Sequence, residues 1–67
     1  MITITVNGEE RGIEPGTSVT GLLEELQLHP RLIVVERNRE ILDRLAFDAT
    51  VVRAGDTIEL VHFVGGG

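Results

Sequence analysis

The chain opens on a strict alternation of apolar and polar positions. Ile2, Ile4 and Val6 fall on one face and Thr3 and Thr5 on the other, the period of a half-buried strand. Asn7-Gly8 follows, and both residues tolerate the positive φ of a two-residue hairpin turn. The return strand, about Glu9 to Ile13, is polar and contains Gly12, as expected of a sheet edge, with Ile13 as its core contact. Glu14-Pro15-Gly16 then breaks the sheet. Ser18, with Thr17 as the alternative, is the expected N-cap of a helix. After it, Val19, Leu22, Leu23 and Leu26 recur at i, i+3, i+4 and i+7, an apolar stripe along one face. Glu24 and Glu25 lie off the stripe, on the wet side. Gly21 is expected to permit close packing on the sheet, and Pro30 prevents the helix from continuing past Leu28.

The second half alternates shorter pieces. Leu32-Ile33-Val34-Val35 reads as a buried strand, Asn38-Arg39 as a turn, and Glu40-Ile41-Leu42 as a short return strand. Leu45, Ala46 and Phe47 suggest a helical turn filling the end of the core, and Thr50 to Val52 a brief extended piece. Ala54-Gly55-Asp56 turns the chain into a final strand, Thr57 to Val64, rich in β-branched and aromatic side chains. A hairpin, a helix, short strands and a last strand parallel to the first make an α+β roll. The expected fold is the β-grasp, or ubiquitin-like, arrangement: a mixed β-sheet of four to five strands crossed by one main α-helix.

Composition narrows what such a domain does. A chain of 67 residues builds one small core. Without cysteine it has no disulfide, thiol nucleophile or thiolate metal site. A net charge of −5 argues against a nucleic-acid footprint, which needs clustered positive charge. No apolar run approaches the roughly 20 residues that span a bilayer, and no charged-then-apolar leader opens the chain, so a cytoplasmic setting away from membranes is expected. All six basic residues are arginine, which leaves no side-chain amine for isopeptide linkage. No nucleophile–base pair or phosphate-binding loop is visible by spacing, so a non-catalytic role is expected, with no bound cofactor. His29 and His62 have no carboxylate at metal-ligand spacing, so a structural or surface role is expected and no metal site. Arg37 and Arg39 read as a solvated turn, with an acidic partner surface as the alternative.

The chemistry gathers at the final residues. The last strand runs directly into Gly65-Gly66-Gly67. Three extended residues reach about 10 Å, and without Cβ atoms they can enter a channel closed to other residues. The expected division is a body over 1–64 and a flexible glycine tail over 65–67. The tail is either a passive end or a thread that presents the Gly67 carboxylate. If the last strand alternates, Ile58 and Leu60 face the helix, while Glu59, Val61 and Phe63 face outward, joined by Val35 from a neighbouring strand. Val35, Val61 and Phe63 would then form an apolar docking surface beside the tail.

These residues resemble the ThiS family of sulfur carriers of thiamine biosynthesis. The likeness rests on Asn7-Gly8, Gly16-Thr17-Ser18-Val19, Val35-Glu36-Arg37-Asn38, Ala54-Gly55-Asp56 and Phe63-Val64-Gly65-Gly66-Gly67, and it covers essentially the whole chain. The resemblance implies that Gly67 is adenylated by an E1-like (ThiF-type) adenylyltransferase, which uses ATP, and then converted to a thiocarboxylate. It implies a sulfur donor such as a cysteine desulfurase and delivery of the sulfur to a ThiG-type thiazole synthase. A carboxylate lacks a good leaving group, and AMP supplies one for attack by sulfur. The alternatives are sulfur delivery to molybdopterin or tRNA thiolation, a protein modifier conjugated through Gly67, and an interaction module with an inert tail.

Overall fold

The computed structural model describes residues 1–62. Strand β1 (Ile2–Val6) and strand β2 (Glu9–Ile13) pair antiparallel. Asn7 (φ 49°) and Gly8 (φ 83°) both sit in the left-handed region between them, the geometry of a type I′ turn. Helix α1 (Val19–Glu25) has only seven residues, short of the roughly 12–15 at which a helix approaches stability by itself in water. Packing therefore holds it: Val19, Leu22 and Leu23 are fully buried and Leu26 packs partly against the same core.

Both ends of α1 are capped locally. Ser18 Oγ accepts the Gly21 N–H at 3.0 Å, satisfying one orphan donor of the first turn. At the other end Gln27 takes φ 59°, and the N–H groups of Gln27 and Leu28 donate to the carbonyls of Glu24 and Leu23, a Schellman ending. The helix thus stops well before Pro30. A Cβ on Gly21 would meet Thr17 Cγ2 at 3.3 Å and Ser18 Oγ at 3.5 Å. The tight spot at Gly21 is the helix's own N-terminal cap rather than the expected contact with the sheet.

A 3₁₀ turn (Pro30–Leu32) leads into β3 (Ile33–Arg37), and Asn38-Arg39 turns the chain into β4 (Glu40–Ile41). Ile33 and Val35 are buried and Val34 is half-buried, while Leu32 stays outside at the turn. The apolar run expected to be buried as a whole is therefore buried on alternate residues. A second 3₁₀ turn (Arg44–Ala46) is capped by the Asp43 carboxylate, which accepts the Leu45 N–H. Phe47 is buried, but Leu45 is 92% exposed. Residues two apart on such a tight turn point to different sides, so only one of this pair fills the core. Residues 50–52 run beside the start of α1, with Val19 N–H donating to Thr50 O and Val52 N–H to Thr17 O. Strand β5 (Thr57–His62) completes the sheet.

The sheet order is β2-β1-β5-β3-β4. β5 runs parallel to β1 and antiparallel to β3, which is the expected mixed sheet with its last strand beside its first. The core unites Ile4, Ile13, Ile33, Val35 and Ile58 from the strands with Val19, Leu22 and Leu23 of α1, closed by Phe47 and Val52. Burying each such side chain is worth about 1.5–3 kcal/mol. The opposite face carries Thr3, Thr5, Val34, Glu36, Glu59 and Val61, none of them buried. Among the described residues no helix is long and apolar enough to cross a membrane.

Candidate functional site

β5 leads toward the terminal glycines and lies between β1 and β3. Its pairing with β1 is brief, Thr5 opposite Thr57 and Val6 opposite Ile58, because β1 ends at the Asn7-Gly8 turn. Asn7 takes over where the strand leaves off. Its Oδ1 accepts the Leu60 N–H at 2.7 Å and its Nδ2 donates to the Leu60 carbonyl at 3.3 Å. A side-chain amide thereby substitutes for one more residue of ladder.

The other hairpin turn does the same at the start of β5. Asn38 Oδ1 accepts the Thr57 N–H at 2.9 Å, and Asn38 Nδ2 donates to Asp56 Oδ1 at 3.1 Å. Asp56 Oδ2 also accepts from Arg37 Nε at 3.0 Å and from the Arg53 N–H at 2.8 Å. Asp56 is the buried charged residue of the described core. Burial pushes its pKa up. The hydrogen bonds from Arg53, Asn38 and Arg37, with the Arg37 charge, outweigh this and hold the carboxyl below its ordinary value.

Arg37 is therefore an internal ion-pair partner, neither a solvated turn residue nor a free cation for an acidic partner, while Arg39 is exposed at the turn. The clamp formed by Arg37, Asn38 and Asp56 was not legible as a site, although all three lie in stretches that carry the family likeness. The available signal was a single Asp beside the last strand, with a donor-rich turn 18 residues earlier.

The structure corrects one expected docking residue. Val35 is fully buried and pairs with Leu60, whereas Val34 pairs with Val61. Side chains alternate along a strand, so the residue beside Val61 on the bare face is Val34, and Val35 belongs to the core. Val61 is 56% exposed, as expected of an outward position. Phe63, Gly65, Gly66 and Gly67 lie outside the described residues.

Ile41, 73% exposed, stands opposite Glu36, which in turn stands opposite Glu59. Val34 and Ile41 also wall a groove of about 260 Å³ with Ile33, Leu42, Arg44 and Phe47. His29 caps a 3₁₀ turn, its Nδ1 accepting the Arg31 N–H, and His62 is an exposed residue opposite Ile33. Among the described residues no three histidines, cysteines or carboxylates come together as metal ligands.

The ThiS family model matches residues 4–67. The chain belongs to the ThiS family. It is 35% identical over 65 residues to the sulfur carrier protein ThiS of Bacillus subtilis, covering 96% of this chain and 98% of that protein. The crystal structure of the thiamine biosynthesis protein ThiS from Geobacter metallireducens superposes with a TM-score of 0.83 at 40% identity, covering 98% of this chain and all of that one. A thiazole synthase of Magnetococcus marinus is 44% identical over 64 residues, 96% of this chain. The chain spans one fifth of that synthase's length. In that relative, a ThiS-like segment and a protein named as a thiazole synthase share one polypeptide.

Proposed function

We propose that this ThiS-family chain is a sulfur carrier of thiamine biosynthesis, itself non-catalytic, in which the Gly67 carboxylate is the group that carries sulfur. In this reading an E1-like adenylyltransferase joins the carboxylate to AMP, with pyrophosphate leaving ATP. The outer sulfur of a persulfide, supplied by a donor such as a cysteine desulfurase, then attacks the acyl carbon and AMP departs. A second thiol takes the donor's sulfur into a disulfide, supplying the two electrons that release the thiocarboxylate. The resulting thiocarboxylate gives its sulfur to thiazole synthase in the cytoplasm. Gly65 and Gly66 form the thread that passes into each partner's active site, where a side chain would obstruct.

The observation that carries the reading is the family match through Gly67, joined to a strand that is held from both neighbouring turns and ends five residues before that glycine. Relatives of the ThiS-like segment that bear the name of thiazole synthase support that enzyme as a partner. The exposed face of Val34, Ile41 and Val61 beside β5 is the docking surface in this reading, and it aims the acyl end.

Mass spectrometry of the intact protein from cells tests the proposal. The terminal residue should appear in part as a thiocarboxylate, heavier by the difference between sulfur and oxygen, and the species should vanish when the adenylyltransferase gene is removed. Finding only carboxylate under thiamine starvation, or Gly67 joined to other proteins instead, would sink it.

A further inference from the structure

We propose that Glu36 and Glu59 form the charged half of the docking surface for thiazole synthase, receiving from it an arginine or lysine set among apolar side chains. The inference rests on the carrier reading above and adds what the partner must present. It begins from the register. Glu36 and Glu59 stand directly opposite on β3 and β5, and opposed residues on one sheet face have Cβ atoms about 4.5–5.5 Å apart. Like charges directly opposite on one sheet face destabilise the free domain.

The fold does not require acids there. The adjoining row of the same face carries Thr5 opposite Thr57, uncharged and polar. Nor is the repulsion relieved from within. Among the described residues the ion pairs are Arg11 with Glu25 and Arg37 with Asp56, and neither includes Glu36 or Glu59.

The surroundings state what would fit. Ile41 adjoins Glu36, while Val34 and Val61 form the next row toward the end of β5. Beyond them lies the groove walled by Val34, Ile41 and Phe47, with Arg44 also on its lining. A cation brought in by a partner would neutralise both carboxylates, and its apolar neighbours would cover the valines, isoleucine and groove. Charge complementarity of this kind fixes register and steers encounter, and arginine is enriched at interfaces. β5 ends at His62, five residues before Gly67 in the sequence, so a partner docked on this face grips the strand that precedes the acyl end.

The test is calorimetric titration of the full chain against purified thiazole synthase from the same source, at low and high salt. The double variant Glu36→Gln/Glu59→Gln is compared with Glu14→Gln/Glu24→Gln, which changes net charge equally at exposed positions outside this face. The face pair should weaken binding by about tenfold or more at low salt and flatten its salt dependence. The control pair should stay within about twofold of wild type. The free face variant should melt at or above the wild-type midpoint, because a repulsion has been removed.

Wild-type affinity in the face variant overturns the proposal while leaving the carrier reading intact. A lowered midpoint overturns it too, by revealing a cation within the chain that holds the pair. A loss seen only in a parallel titration against the adenylyltransferase overturns it as well and assigns the face to that enzyme. If the wild-type chain fails to bind thiazole synthase, this proposal falls. The carrier reading falls with it only if no thiocarboxylate is found in cells.

Discussion

Replacing Asp56 with asparagine tests how the start of β5 is held. The carboxylate accepts three hydrogen bonds, from the Arg53 N–H, Arg37 Nε and Asn38 Nδ2, and all three partners are donors. An amide offers one acceptor atom where the carboxylate offered two. If its oxygen faces Arg37 and Arg53, its NH₂ confronts the NH₂ of Asn38. Rotating Asn38 to relieve this would cost the bond that its Oδ1 accepts from Thr57 N–H. One bond is lost in either arrangement, at about 1–3 kcal/mol for the buried group left over. The bonds that remain change from charge-assisted to neutral, a loss of about 1 kcal/mol each. Arg37 is 30% exposed at its side chain, so water screens part of this and the lower end of the range applies. The expected cost is about 2–3 kcal/mol, a large fraction of the roughly 3–10 kcal/mol available to a domain this size.

Urea unfolding followed by circular dichroism measures it, and the midpoint should fall at unchanged slope. The pH dependence gives an independent check. Asp56 has its pKa lowered by folding, so its contribution is fully present above the unfolded value of about 3.9. It is lost as pH falls through the lower folded value. Wild type should therefore lose stability in that acid window and Asp56→Asn should lose less. A variant as stable as wild type at neutral pH, or one with the same acid slope, would refute the account of the clamp.

Four further outcomes rest on the same geometry. Val35→Asp should prevent folding, because it forces a carboxylate into a fully buried site. Val61→Asp should keep the native circular dichroism spectrum and weaken partner binding in a pull-down titration. Arg39→Gly should raise stability by roughly 0.5–1 kcal/mol in urea unfolding, since Arg39 is exposed and holds φ 74°, where a Cβ is penalised. Asn7→Gly keeps the turn's backbone preference but removes both bonds to Leu60. It should cost about 1–2 kcal/mol and accelerate amide exchange at Leu60 before other sites in β5.

What the sequence disclosed, and what it withheld, follows from the range of each interaction. Alternation in β1, the Asn7-Gly8 and Asn38-Arg39 turns, the Ser18 cap and the α1 stripe are local patterns, and each lies where expected. The role of Val35 was misread because a four-residue apolar run hides its own phase. Only the pairing of Val34 with Val61, set by a strand about 27 positions away, shows which residue faces out. Leu45 misled for a similar reason, since an apolar residue in a short turn carries no period to orient it. The Asp56 clamp joins residues 18 and 19 positions apart, a distance at which no spacing rule operates.

The two asparagines give the sheet a division of labour. Each occupies the first position of a tight turn at positive φ, where asparagine is favoured for its backbone tolerance alone. Here each also spends its amide on β5, Asn38 at Thr57 and Asn7 at Leu60. The strand is thus held at its first residue and at Leu60 from opposite neighbours, without covering the outer face on which Val61 and Glu59 stand. A helix or loop laid across that face would have stabilised β5 as well, but would have removed the surface from any partner. Holding the strand edge-on through turn side chains keeps β5 in register without using its outer face, which the proposed carrier role needs for docking.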